Sequence, residues 1–259
     1  MSDLALECTE VTKLYRLGAT LSLQQTLSHL KPGKKAPVAR FAALDAVSFS
    51  VARGSFFGIV GSNGSGKSTL TQAISGITVP TSGTIRVWGR VLPLLEVGAG
   101  FHDELTGREN VRLLGAILGV PTRQVTASIT DILDFADVHR HFDTPLKRYS
   151  TGMKARLSFA TAICFPSEIY VFDEVLAVVD DDFRDQCVAE LQKLNALGRT
   201  IIFMSHDLSL VTGICREGMW LEKGIVRKVG AMDDVAAAYA QAMPESDSVG
   251  ASTAEHYVA

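Results

Sequence analysis

Residues 56–69 read Phe-Phe-Gly-Ile-Val-Gly-Ser-Asn-Gly-Ser-Gly-Lys-Ser-Thr, and this stretch decides the fold. Phe56–Val60 is a continuous apolar run of strand length, the pattern of a strand buried on both faces of a parallel sheet. Gly61, Ser62, Asn63, Gly64, Ser65, Gly66, Lys67, Ser68 and Thr69 follow, and Ser68–Ile74 has the composition to open a helix. Strand, GxxxxGK[ST], helix is the arrangement that cradles phosphate groups. Phosphate oxygens need several backbone N–H groups aimed inward, and glycines let the chain take that concave path without Cβ clashes. The helix N-terminus adds partial positive charge. Lys67 then reaches β- and γ-phosphates, and the Ser68 hydroxyl is a ligand for Mg²⁺.

Working outward, Ile169–Asp173, Thr200–Met204 and Gly218–Glu222 read as further strands. Ile169-Tyr-Val-Phe-Asp-Glu174 ends in two carboxylates. Beside a phosphate loop, Asp173 is placed to hold the Mg²⁺ shell and Glu174 to polarise the water that attacks the γ-phosphate. Thr200–Met204 runs into Ser205-His206-Asp207, which sets His206 just past a buried strand, in position to contact the γ-phosphate. Phe183, Cys187, Leu191 and Leu194 recur at helical spacing. Asp103–Ala162 is mostly helical in pattern and lies between two sheet-forming regions, as an inserted subdomain would.

Phe41–Val51 reads as a strand returning after Tyr15, with a long insertion between them. Leu23, Leu27 and Leu30 give that insertion an amphipathic helix, and KPGKKAP follows. The basic loop Lys31–Lys35 suits anionic lipid or a pyrophosphate-linked glycan, or is a solvated turn. Pro244–Ala259 is polar and Ser-rich, a loose tail too short for a domain.

The 259 residues and 47% hydrophobic content suffice for one substantial core with a small attached subdomain. A net charge of −3 gives no global pull toward nucleic acid, and no partner of that kind is expected. No apolar run is long enough for a transmembrane helix, and the N-terminus has no basic-then-apolar leader. Cys8, Cys164, Cys187 and Cys215 have neither metal nor redox spacing and read as thiols in a reducing compartment.

Tyr149-Ser-Thr-Gly-Met153, some twenty residues ahead of the acidic strand, resembles the signature motif of ABC ATPases. The resemblance covers roughly residues 4–243. It implies an α/β fold: a P-loop NTPase (RecA-like) core, an inserted α-helical subdomain at roughly 103–162 and an N-terminal antiparallel β region. It implies ATP and Mg²⁺ as cofactors and a homodimer, in which Ser150 and Gly152 complete the ATP site of the other copy. Ala177-Val-Val-Asp180 resembles the dimer-contact loop after the catalytic glutamate, with Val179 where the family often has glycine. Tyr15 resembles the aromatic that stacks on adenine.

Within the family, the chain is most similar to exporters of capsule, O-antigen and teichoic acid. Leu94–Phe101 with Glu104–Asn110, Phe142–Met153, and Glu174–Asp180 with Val175 in place of an importer's proline carry that similarity. The insertion at roughly 17–40 resembles a gate-helix loop near the membrane. This implies an integral-membrane permease dimer as partner, a lipid-linked polysaccharide as substrate and a peripheral position on the cytoplasmic face of the bacterial inner membrane. One departure stands out. The family's Mg²⁺-ligating glutamine is missing between Leu92 and Asn110, and Glu96 is the candidate for its place. The alternative is a soluble ABC ATPase without a permease, acting on DNA or ribosomes; such proteins usually carry two cassettes or a coiled-coil insertion, and this chain has neither. A P-loop kinase or GTPase would not need YSTGM, and no guanine-reading Asn-Lys-x-Asp occurs. A purely regulatory cassette would not need Glu174 and His206.

Overall fold

The computed structural model describes residues 3–16, 40–94, 100–176 and 179–242. Two sheets stack around a helix. The first is antiparallel, in the order β2-β1-β4, from β1 (Leu4–Arg16), β2 (Arg40–Ala52) and β4 (Ser82–Val87). The second has six strands in the order β5-β6-β7-β3-β8-β9. Its members are β3 (Phe56–Val60), β5 (Val91–Leu94), β6 (Ile169–Asp173), β7 (Thr200–Ser205), β8 (Glu217–Glu222) and β9 (Ile225–Ala231). Neighbours run parallel except β9, which returns antiparallel on β8.

Helix α1 (Lys67–Ile74) lies between the sheets. The inserted region holds α2 (Gly107–Ile117), α3 (Thr122–Ala136) and α4 (Thr151–Cys164). Helices α5 (Asp181–Ala196), α6 (Leu208–Ile214) and α7 (Met232–Ala242) complete the order.

The central strands are apolar throughout because both of their faces are covered. From β3, β6 and β7, Phe57, Ile59, Ile169, Val171, Ile202 and Met204 point into a core shared with Leu6, Val11, Leu44 and the α1 residues Leu70 and Ile74. The alternate residues Phe56, Val60, Tyr170, Phe172, Ile201 and Phe203 point to the opposite core with the inserted helices and α5. There Phe159 of α4, Phe172 of β6 and Phe183 of α5 meet ring to ring, at centroid distances of 5.5 Å and 6.2 Å. The inserted helices are thereby fastened to the sheet through α4.

The helix ends follow capping chemistry. Thr106 and Glu109 form a reciprocal capping box on α2, and Ser150, Asp180 and Asp207 cap α4, α5 and α6. Cys8, Cys164, Cys187 and Cys215 are free thiols, and burial pushes Cys8 and Cys164 up to about 12, so neither is a reactive thiolate. Among the described residues no helix is long and apolar enough to cross a membrane. The gate-helix-like insertion, the tail after Met243 and Glu96 lie outside the described residues.

Candidate functional site

Parallel pairing brings the sequence motifs to one edge. Val60 pairs with Ser205, and Asp173 with Met204, so β3, β6 and β7 all end on the same side. Their continuations are Gly61, Glu174 and His206. The carboxyl ends of parallel strands are where such sheets hold ligands.

The loop 61–66 is shaped by its glycines. Gly66 has φ 110°, and a Cβ there would sit 2.6 Å from the Ala43 carbonyl oxygen. A Cβ on Gly61 would lie 2.3 Å from the Leu221 carbonyl oxygen. Neither position accepts a side chain without moving backbone. The turn between β8 and β9 props the loop from behind: Gly224 N–H donates to the Ser65 carbonyl (2.8 Å), and Asp45 N–H to the Gly224 carbonyl (2.8 Å). Lys67 opens α1 and folds back over the loop, donating to the Gly61 carbonyl at 2.6 Å and the Ser62 carbonyl at 3.2 Å.

Glu174 follows the buried Asp173 with φ 56°, in the left-handed region that costs a side chain of this type roughly 1–2 kcal/mol. That turn aims its carboxylate back across the strand ends. One oxygen lies 3.2 Å from Lys67 Nζ, and the other 2.6 Å from His206 Nδ1. His206 N–H also donates to Oε1 at 3.1 Å. Backbone bonding from Glu174 N–H to the Met204 carbonyl (3.0 Å) fixes the turn to β7. Strained backbone of this kind concentrates at functional sites.

Lys67, Glu174 and His206 therefore converge, as do Asn63, Gly64, Ser65, Gly66, Ser68 and Thr69, which line one cleft with Phe41, Ala43 and Glu174. Sequence reasoning missed Phe41. It stands directly opposite Tyr15 in the β1–β2 register, is half exposed and lines the cleft; Tyr15 is not among the lining residues, and Lys13 Nζ sits over its ring at 5.4 Å.

Ser150 and Gly152 do not line this cleft. Ser150 accepts a hydrogen bond from Met153 N–H at 3.1 Å, which leaves its own hydroxyl proton to donate outward. Asp180 ties α4 to α5: it accepts from Arg156 at 2.8 Å and from Phe183 N–H at 2.9 Å. The Arg156 bond first, and then the Phe183 N–H, hold its carboxyl below the usual range.

The ABC transporter profile matches residues 44–177, from the returning strand through the acidic strand end. The O-antigen export ATP-binding protein RfbB of Klebsiella pneumoniae is 37% identical over 79% of this chain and 83% of its own length. The chain belongs to the ABC transporter family of ATP-binding proteins.

The RfbB protein of Myxococcus xanthus is 39% identical over 78% of this ABC protein, which spans only 46% of that relative. The teichoic acids export ATP-binding protein TagH of Bacillus cereus is 40% identical over 76% of the chain and 36% of its own length. The ABC chain thus spans less than half of some of the curated relatives it matches and most of others. Among solved structures, an ATP-binding cassette in a dimeric post-hydrolysis state with ADP and Pi superposes with a TM-score of 0.72. The match has 20% identity and covers 88% of this chain and 98% of that one, which establishes the shared fold.

Proposed function

We propose that the chain is the ATP-hydrolysing subunit of an ABC exporter of a lipid-linked surface polysaccharide, working as a homodimer against a membrane permease dimer at the cytoplasmic face of the bacterial inner membrane. One observation carries the chemistry: Lys67, Glu174 and His206 meet within 3.2 Å contacts at the strand ends beside a glycine-built cradle. The exporter assignment is supported by the relatives named for O-antigen and teichoic acid export.

The residues present fit a nucleotide with Mg²⁺. Gly61 and Gly66 keep open a cradle that a Cβ would fill, and Ser65 Oγ is buried there with no hydrogen-bond partner among the described residues. Ser68 and Asp173 offer the hard oxygen donors that Mg²⁺ takes. When bound, the ion neutralises charge on the β- and γ-phosphate oxygens.

In this reading the loop amides and Lys67 grip the β- and γ-phosphates. Glu174 accepts a hydrogen bond from the attacking water, whose oxygen bonds to γ-phosphorus as the bond to the ADP oxygen breaks. His206 holds that carboxylate through Nδ1 and its backbone N–H. Ser150 and Gly152, which do not line their own cleft, supply hydroxyl and N–H donors at the start of α4 to nucleotide held by the other copy.

Phe41 offers a face to the base from the rim of the cleft. Replacing it with alanine removes one aromatic stack, worth about 1–3 kcal/mol. A Phe41→Ala variant should bind ATP about tenfold more weakly with turnover at saturation retained, read by titration of a fluorescent ATP analogue; the same replacement at Tyr15 should change affinity less.

Purification from membranes with a tag on this chain tests the transport reading. Recovery of a multi-helix permease, with ATP turnover that responds to lipid-linked glycan, supports it. Recovery of ribosomal or DNA partners without a permease overturns transport and leaves the ATPase chemistry standing.

A further inference from the structure

Asn110 is an asparagine on α2 with no exposed surface, and the function proposed above makes no use of it. Its side chain closes a turn on itself. Nδ2 donates toward three carbonyls, those of His102 (3.0 Å), Leu105 (3.0 Å) and Thr106 (2.9 Å). Oδ1 accepts from His102 N–H at 2.6 Å. A buried amide satisfied on both sides by backbone acts as a staple, and losing one partner leaves groups stranded away from water. The capping box of Thr106 and Glu109 lies inside the same turn.

The stapled turn is bonded to the segment leading into Ser150. Leu146 N–H donates to the Leu105 carbonyl, Lys147 N–H to the Asp103 carbonyl and Arg108 N–H to the Phe142 carbonyl, at 2.9 Å, 2.9 Å and 3.0 Å. Three ion pairs span the same seam: Lys154 with Asp103, Lys147 with Glu104 and Arg108 with Asp143. Tyr149, the residue before Ser150, is buried and donates from its hydroxyl to the His141 carbonyl at 2.7 Å. A Cβ on Gly107 would come within 2.6 Å of that hydroxyl, so the absence of a side chain at 107 is what lets the turn close on Tyr149.

We infer that Asn110 is a positioning residue for the signature segment: it makes residues 102–110 one rigid strut on which Ser150 and Gly152 are held at the angle that meets a second copy's nucleotide. The inference rests on the dimeric ATPase reading and adds to it the part that sets the signature's orientation. The surface ion pairs along the seam are each worth little alone, so the rigidity rests on the staple within the turn and on the three backbone hydrogen bonds across the seam.

Asn110→Asp tests it in the full chain. The carboxylate is isosteric but cannot donate to the three carbonyls. The expected result is a fall in kcat of at least about tenfold per folded chain and weaker ATP-driven dimer formation, with affinity of the single chain for a fluorescent ATP analogue unchanged. Tyr149→Phe, which deletes one hydroxyl without altering packing, should move the same readouts in the same direction by a smaller factor. It decides the matter if Asn110→Asp does not fold. A purely architectural role predicts a lower Tm with wild-type kcat and dimer formation per folded chain, and that result overturns the inference. A wild-type chain that fails to dimerise with ATP overturns this inference and the proposed function together. A wild-type chain that does dimerise, beside variants that match it, overturns this inference alone.

Discussion

Glu174→Gln should lower ATP turnover by about 10²–10⁴-fold, the usual contribution of a positioned general base, while leaving nucleotide binding intact. The amide keeps the volume and one acceptor oxygen but loses the charge that Lys67 Nζ and His206 Nδ1 approach at 3.2 Å and 2.6 Å. The backbone turn at φ 56° is set by the bond to Met204 and by the strand end, so the variant keeps the loop geometry. Because hydrolysis stops after binding, ATP should accumulate on a long-lived dimer. Single-turnover kinetics beside size-exclusion chromatography with ATP would check both halves. Wild-type turnover in the variant would remove Glu174 from the chemistry.

Lys67→Ala should act one step earlier, on binding itself. Lys67 is almost wholly buried and spans from the loop carbonyls to Glu174. Among the described residues, its ammonium is the cationic side chain lining the cleft. Charge-assisted hydrogen bonds to phosphate oxygens are worth about 1.5–3 kcal/mol each, so losing them should weaken ATP binding by roughly a hundredfold. The variant also leaves Glu174 without its ammonium neighbour, so double replacement of Lys67 and Glu174 should restore part of the Tm lost in the single one. Calorimetric titration with ATP and a thermal melt separate the two effects. Undiminished affinity would contradict the role given to the loop.

Much of this site was legible in the sequence, for a physical reason. A phosphate cradle is a local backbone device, so Gly61–Thr69 announces itself without tertiary information. The strands beside it read clearly because burial on both faces forces continuous apolar runs, and Phe56–Val60 and Ile169–Asp173 have the expected bounds. Strand β7 extends one residue beyond the expected Met204, to Ser205, and β8 begins one residue before Gly218.

What local pattern could not give was pairing. Strands β4 and β9 are half-exposed and carry no clear alternation, and β5 is only four residues long. Phe41 stayed hidden because its place opposite Tyr15 depends on a β1–β2 register that shifts at several points along the strands. The signal available was a large aromatic at the start of the strand that leads to the phosphate loop. Asn110 looks in sequence like any polar helix residue; only the closed turn over His102–Thr106 shows that it is buried and fully bonded. Helix α7 did leave a readable trace in the acidic first turn Asp233–Asp234 and in Val235 and Tyr239 one turn apart on the buried face.

In the proposed dimer each ATP is held by the loop of one copy and the signature of another. Mixing two inactive variants tests it most directly: Lys67→Ala, with a disabled loop and an intact signature, and Gly152→Asp, with the reverse. Each alone should be silent. The mixture should hydrolyse ATP, because a mixed pair rebuilds one complete site from Lys67 and Glu174 of one chain with Ser150 and Gly152 of the other. A mixture as silent as its parts, with both variants folded and associating, would contradict a site shared between copies.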